Sequence, residues 1–202
     1  AVNHEFFFHA IRTGELVLPS KDAVIDKTIK DTCDFWSINL YTREMVDTRK
    51  ADTMGDRYAF TKTRMLPMNF YLDEFFPECM VHNLTRLMDK PVYITENGCS
   101  CEDDDFRIVY LTEYLCALNE AIKAGVDVRG YLYWSLLDNY EWWTFIPRFG
   151  LVDVDRAHDF KRTPKPSAWF YKEIIENNGF HPDILAKYLK EQPRVRELPI
   201  LK

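Results

Sequence analysis

The sequence lacks the features typical of membrane, nucleic-acid-binding and disulfide-rich proteins. It has no run of about eighteen apolar residues, so no membrane-spanning helix is predicted. The net charge is −6 and the 26 Lys and Arg residues form no basic block, which argues against nucleic acid or an anionic membrane as a partner. The first residues contain neither a basic nor an apolar signal region, so we expect a cytoplasmic location unless a signal has been removed.

Cysteine is scarce and unevenly spaced. Five cysteines, an odd number, make a poor disulfide framework. The Cys99-Ser100-Cys101 segment does not have the Cys-x-x-Cys spacing of zinc and redox sites. We therefore predict a reduced chain without a bound metal. The acidic run 102–105 lacks the spacing of a calcium loop and favours a solvated surface.

Apolar runs alternate with helical patterns along the chain. This order predicts parallel strands joined by right-handed crossovers, and hence an α/β fold. Three strands are too few to close a barrel, and their unpaired edges indicate a missing partner. The predicted strands cover residues 33–41, 92–95 and 128–136, the helices 22–32, 70–89, 106–124 and 166–177, and a long loop 47–69.

The second strand delivers a carboxylate to its carboxyl end. Residues 92–95 are rich in β-formers, Glu96 follows, and Asn97-Gly98 predicts a turn. A parallel barrel places its chemistry at this edge. Glu96 is therefore a candidate nucleophile, although most glutamates in such positions form helix caps or surface ion pairs.

The neighbouring strands carry further candidates. Asn39 and Tyr41 alternate on one strand and so point to the same face. A phenol that donates to a carboxylate favours its ionised form, as a nucleophile requires; alternatively, Tyr41 is an ordinary half-buried aromatic. Trp134 lies near the end of the third predicted strand, and Glu141 and Trp142 follow that strand. Indole rings can stack on sugars and a carboxylate can accept hydroxyl groups, although an isolated Trp is usually a core residue.

These segments resemble family 1 glycoside hydrolases, the β-glucosidase family. The matching motifs are Ile-Thr-Glu-Asn-Gly at 94–98, Ile-Asn-Leu-Tyr-Thr at 38–42 and Trp-Ser-Leu-Leu-Asp-Asn-Tyr-Glu-Trp at 134–142. The resemblance implies a partial (β/α)8 TIM barrel in which residues 1–202 hold strands six to eight of a single domain, ending in a tail, 182–202.

The resemblance also implies roles for individual residues. Glu96 is expected to be the nucleophile of a retaining β-glycosidase and Tyr41 to be the residue that supports it. Asn39, Trp134, Glu141 and Trp142 are expected to bind the sugar. The expected substrate is a terminal β-D-glucosyl or related residue without phosphate, and the implied mechanism needs no cofactor.

Two departures from the family limit what the chain is expected to do alone. The family's general acid/base lies in an Asn-Glu-Pro motif, and that motif does not occur here. The loop 141–150 is one residue shorter than the family pattern and lacks its Gly-Tyr. We therefore expect the isolated chain to be weak or inactive until it meets an N-terminal barrel half or another chain. The alternative is a catalytically inactive glycan-binding or structural fragment.

Overall fold

A three-stranded parallel sheet lies at the centre of the computed structural model, which describes residues 5–18, 20–43, 63–65, 74–189 and 196–198. Numbered along the chain, the strands are β1 (Glu15–Leu16), β2 (Val24–Ile25), β3 (Trp36–Asn39), β4 (Thr63–Met65), β5 (Val92–Asn97), β6 (Val128–Tyr133), β7 (Val152–Asp155), β8 (Lys161–Pro164) and β9 (Arg196–Leu198). The α-helices are α1 (Glu5–Thr13), α2 (Cys79–Leu84), α3 (Asp104–Lys123), α4 (Pro166–Asn177) and α5 (Pro182–Tyr188).

The central sheet has the order β3-β5-β6. Val92 pairs with Trp36 on one side and with Val128 on the other, and both pairings are parallel. The carboxyl ends of all three strands therefore lie at the same edge. This agrees with the α/β prediction, and the three strands do not close into a barrel.

Two apolar clusters hold the helices to the sheet. Ile94 of β5 packs in a cluster with Leu84 of α2 and Tyr114 of α3, and all three are fully buried. On the other side of α3, Ile108 packs in a second cluster with Phe170 of α4. Helix α3 is thus buried on two faces, because it lies between the sheet with α2 and the C-terminal helices.

Helix α3 is the longest element and follows directly from its sequence. The side chain of Asp103 caps it by accepting from the backbone N–H of Asp105 at 3.0 Å. It ends just before Gly125, whose φ is +102°. The predicted helix 106–124 is confirmed within two residues. No helix in the described part of the chain is long and apolar enough to cross a membrane.

The predicted helix 22–32 is wrong. Val24 and Ile25 instead form β2, which pairs antiparallel with β1, and turns follow. The Asp26 carboxylate accepts from the backbone N–H of Thr28 at 2.9 Å and from its hydroxyl at 2.6 Å. Such local bonds compete with helical hydrogen bonds, which explains the error.

The other long predicted segments are only partly described. Within the predicted loop 47–69, only 63–65 are described, and they form β4, which pairs antiparallel with β9. In the predicted helix 70–89, residues 70–73 lie outside the described part. The remainder contains α2 and a short 3-10 helix, Thr85–Leu87.

Stability should depend on the two-sided burial of α3. We expect Ile108→Ala to lower the free energy of unfolding by about 2–5 kcal/mol, because Ile108 is fully buried and truncation leaves a cavity. Ile122→Ala, in the same helix but 45% exposed, should change it by less than about 0.5 kcal/mol. Urea unfolding followed by tryptophan fluorescence measures both, and equal losses would contradict this packing.

Candidate active site

Glu96 and Tyr41 meet at the carboxyl edge of the sheet. The Tyr41 hydroxyl donates to Oε2 of Glu96 at 2.8 Å. Both side chains are half-buried, so the carboxylate is held by a fixed donor while it stays accessible. The structure thus brings together the two residues that the sequence singled out for catalysis, and their catalytic roles remain predictions.

The backbone of Tyr41 is held from two sides. Its carbonyl accepts the Tyr114 hydroxyl of α3 at 2.6 Å. One residue earlier, the N–H of Leu40 donates to the carbonyl of Glu96 at 2.9 Å, which extends the β3–β5 ladder past the end of β3. The position of Tyr41 relative to Glu96 is therefore set by both the sheet and the buried helix.

Asn97 joins the neighbouring elements directly beside Glu96. Its Nδ2 donates to the carbonyl of Leu40 at 2.7 Å and to the Tyr110 hydroxyl of α3 at 2.9 Å. Its Oδ1 accepts from the Tyr131 hydroxyl of β6 at 2.6 Å. The sequence predicted a turn at Asn97, but the residue is the fully buried last position of β5. Its amide connects β5 to β6, α3 and the segment after β3, because it can donate and accept at once.

Asn39 lies next to Glu96, on the neighbouring strand β3. The two residues are register partners, and the register shifts between Ile38 and Asn39. The Asn39 Oδ1 accepts from the Thr95 hydroxyl at 2.8 Å, and the residue is exposed. The structure therefore places Asn39 beside the candidate nucleophile, with its amide orientation fixed by Thr95.

Trp134 and Glu141 form a second pair beyond the end of β6. The indole Nε1 of Trp134 donates to Oε1 of Glu141 at 2.9 Å. The backbone N–H of Trp134 also donates to the carbonyl of Asn97 at 2.9 Å, which ties this pair to the end of β5. Glu141 is only 7% exposed, so its carboxylate is held in place rather than mobile on the surface.

A tight turn follows Glu141. Glu141 and Thr144 exchange backbone hydrogen bonds of 2.8 and 3.0 Å, and the two residues between them, Trp142 and Trp143, have φ values of +40° and +75°. Trp142 is 75% exposed, so the described structure does not bring its ring into the buried part of the site. The predicted sugar contact of Trp142 remains a prediction.

A cluster of ion pairs around the buried Asp138 anchors the segment that carries this pair. The Asp138 carboxylate accepts from Arg148 at 3.2 Å, from Lys165 at 3.2 Å and from the backbone N–H of Gly150 at 2.8 Å. Desolvation lowers the pKa of Lys165, and Asp138 opposes that shift. The sequence analysis did not single out this cluster as positioning the site, because its members are far apart in the chain.

The described residues contain no group of three or more His, Cys, Asp or Glu side chains that could hold a metal ion. The candidate site consists of two carboxylates at one edge of the parallel sheet, and each accepts a hydrogen bond from an aromatic side chain. Tyr41 donates to Glu96, and Trp134 donates to Glu141. Such a set can supply a nucleophile and bind hydroxyl groups.

The profile of Glycosyl hydrolase family 1 matches residues 9–180, so the chain belongs to that family. The β-galactosidase of Saccharolobus solfataricus is 36% identical over 208 residues, covering 97% of this chain and 42% of that protein. β-Glucosidase A of Acetivibrio thermocellus is 34% identical over 190 residues, and the match covers 82% of this chain and 39% of that protein.

A solved structure of a β-glycosidase from Pyrococcus horikoshii has the same fold over this region. The TM-score is 0.73 at 32% sequence identity, with 93% of this chain and 44% of that chain covered. Family 1 glycosidases of this kind are TIM barrels. The chain spans less than half the length of these relatives, consistent with the open sheet.

The end of β5 should not tolerate a side chain at Gly98. A Cβ there would lie 1.8 Å from the carbonyl oxygen of Trp134, so the backbone would have to shift. We expect Gly98→Ala to lower the free energy of unfolding by about 1–3 kcal/mol. Gly130→Ala is the matched control, because its Cβ would meet a side chain, the ring of Tyr93 at 2.8 Å, rather than a backbone atom. A larger loss for Gly130→Ala in urea unfolding would contradict this account.

Proposed function

We propose that this chain supplies the nucleophile half of a retaining β-glycosidase. The observation that carries the proposal is the Tyr41–Glu96 hydrogen bond of 2.8 Å at the carboxyl edge of the parallel sheet. That edge is where parallel barrels carry out catalysis, and a carboxylate with one fixed donor suits attack on a sugar. Family membership supports the same reaction class.

In the proposed reaction, an oxygen of Glu96 attacks the anomeric carbon and the bond from that carbon to the leaving oxygen breaks. The leaving oxygen takes the bonding electrons and a proton, which the acid of the completing barrel half would donate. The product is a glycosyl ester on Glu96, which water then hydrolyses to release the sugar. Tyr41 holds the carboxylate in position throughout. The mechanism uses no cofactor.

The sugar itself would be held by the second pair. The indole N–H of Trp134 fixes one oxygen of Glu141, and a carboxylate oriented in this way accepts neighbouring sugar hydroxyls. Asn39 is the register partner of Glu96 and Trp142 follows Glu141 in the chain, and we expect both to add contacts to the sugar. The activities named for the relatives, β-galactosidase and β-glucosidase, support a terminal β-D-glucosyl or related residue as substrate.

We further propose that strands β3, β5 and β6 are the last three strands of a barrel that an N-terminal half, or another chain, completes. Apolar side chains at both edges of the sheet support this: Phe35 is 50% exposed beside β3 and Leu132 is 52% exposed in β6. A 360 Å³ groove also opens beside β3, between Phe8, Ile11 and Trp36. The family's Asn-Glu-Pro acid lies outside this sequence, so the chain alone should turn over glycosides slowly.

A catalytically inactive glycan-binding or structural fragment is the second candidate. The missing Asn-Glu-Pro motif and the shortened loop after Trp142 favour it. Such a protein would keep the Trp134–Glu141 pair for binding and would have no use for a reactive Glu96. A covalent probe of Glu96 therefore separates the two functions.

We expect an activated 2-deoxy-2-fluoro-glucoside to add one glycosyl group to the chain, seen by intact-mass spectrometry. Its leaving group is good enough to need little protonation, so the missing acid should not prevent attack. Glu96→Gln should abolish the adduct because an amide is a poor nucleophile. Glu113→Gln, an exposed glutamate on α3, should label like wild type.

The outcomes separate three cases. An adduct on the isolated chain that Glu96→Gln removes supports an assembled nucleophile site. An adduct that appears only after an N-terminal barrel half is added supports a split site. No adduct in either condition, or an adduct that persists in Glu96→Gln, would reject the catalytic role of Glu96.

The contribution of Tyr41 can be measured with the same probe. We expect Tyr41→Phe to slow labelling by about tenfold to a hundredfold, because a hydrogen bond to a charged group contributes about 1.5–3 kcal/mol. Tyr93→Phe, on β5 itself, is the matched control and should leave the labelling rate unchanged. Equal rates for wild type and Tyr41→Phe would reject the proposed role of Tyr41.

A further inference from the structure

Two buried thiols follow the candidate nucleophile in the chain. The sulfur atoms of Cys99 and Cys101 lie 3.7 Å apart, in van der Waals contact, and both residues are free cysteines. Cys99 is 0% exposed and Cys101 is 1% exposed. Because both are buried within one loop, each sulfur has the other as its nearest available thiol.

The surroundings of the two sulfurs are unequal. The hydrogen bond with Cys99 lowers the pKa of Cys101, and the positive charge of Arg107 acts in the same direction against burial. Burial raises the pKa of Cys99. The Arg107 guanidinium is itself fully buried and donates to the carbonyl of Cys101 at 2.8 Å. Of the two thiols, Cys101 therefore loses its proton more readily.

We propose that Cys99 and Cys101 form a redox site that a peroxide converts from the dithiol to an intraloop disulfide. The Cys101 thiolate attacks one oxygen of hydrogen peroxide, the O–O bond breaks, and the products are a sulfenic acid and hydroxide. This hydroxide takes up the proton that Cys101 released on forming the thiolate, which gives the first water. The Cys99 sulfur then attacks the Cys101 sulfur, the S–O bond breaks, and the released hydroxide takes the Cys99 proton to form a second water. The two thiols lose two electrons and one peroxide is reduced to two waters.

Closure starts from two sulfur atoms that are already in contact. A disulfide needs its sulfurs about 2.05 Å apart, so the gap must close by roughly 1.6 Å, shared between two side chains and the loop. Burial slows access of the oxidant compared with the exposed Cys116. It also excludes thiols of other molecules, so the closed pair is the favoured product.

The loop that would move supports the sugar-binding pair. The backbone N–H of Arg148 donates to the Ser100 hydroxyl at 2.9 Å, and the N–H of Cys101 donates to the carbonyl of Arg148 at 3.3 Å. Arg148 in turn binds Asp138, which anchors the segment from Trp134. Oxidation should therefore displace the sugar site; this consequence, unlike disulfide formation, rests on the proposed function.

Peptide mapping of the folded 202-residue chain after hydrogen peroxide treatment tests the disulfide without any activity assay. Trypsin cleaves after Arg86 and Arg107 but not at Lys90, which precedes proline, so one peptide, 87–107, holds both thiols and no other cysteine. Met88 is 50% exposed, lies in the same peptide and gains oxygen under peroxide, so fragment ions must locate each mass change. We expect the segment with Cys99 and Cys101 to lose the mass of two hydrogens, and a dithiol reductant to restore that loss. Oxygen atoms added at Cys99 or Cys101, or two thiols that still alkylate after Cys116 has been oxidised, would overturn the proposal.

Two variants and a denatured control sharpen the test. Cys116→Ser keeps the pair and should give the same mass loss, whereas Cys101→Ser should not. If Cys101→Ser fails to fold, wild type oxidised in urea replaces it. In the unfolded chain, Cys99 and Cys101 should also form disulfides with Cys33 and Cys79. If the Cys99–Cys101 disulfide is as abundant in urea as in the folded protein, the fold does not favour its formation.

The rate at which the fluoroglucoside labels Glu96 tests whether oxidation of the two cysteines affects the sugar site. The experiment uses whichever form labels, the isolated chain or the chain with an N-terminal barrel half. We expect oxidation to slow labelling by about tenfold to a hundredfold, because small misplacements of a reacting pair carry that cost. A disulfide that forms without changing the rate would reject the link. If nothing labels in either redox state, the proposed function fails while the peptide map still decides the redox site.

Discussion

The Asn97 side chain is the interaction on which the rest of the site depends. One buried amide connects the backbone beyond β3 with the hydroxyls of Tyr110 and Tyr131. Three elements are thereby fixed within one residue of Glu96. A buried amide left without partners is costly, so these bonds must form together when the sheet and α3 assemble. The position of the carboxylate follows from that assembly.

Two buried tyrosines of α3 connect the helix to the segment that carries Tyr41. The rings of Tyr110 and Tyr114 stack at 4.0 Å on α3, and the Tyr114 hydroxyl holds the backbone of Tyr41. Burial raises the pKa of both phenols, so they remain neutral donors at ordinary pH. A helix that supplies apolar rings to the core also supplies the polar atoms that position Tyr41.

The second half of the site has a different support. Asp138 gathers Arg148 and Lys165, which reach it from segments ten and twenty-seven residues away. These charges hold the loop that presents Trp134 and Glu141. The loop also rests on the turn after Glu96, because Gly98 leaves no space between itself and the carbonyl of Trp134. The two carboxylate pairs are therefore mechanically connected through backbone contacts rather than through substrate.

The sequence by itself determined the family and the alternation of strands and helices, because these depend on local pattern and motif. The same motifs made Glu96, Tyr41 and Trp134 the candidate site residues. It placed Asn97 in a turn and residues 22–32 in a helix, and both were wrong where side-chain hydrogen bonds overrode local propensity. Only the tertiary structure decided that Tyr41 reaches Glu96 and that Cys99 lies against Cys101. Distances across strands and within a folded loop arise from packing of the whole domain, which no short stretch of sequence encodes.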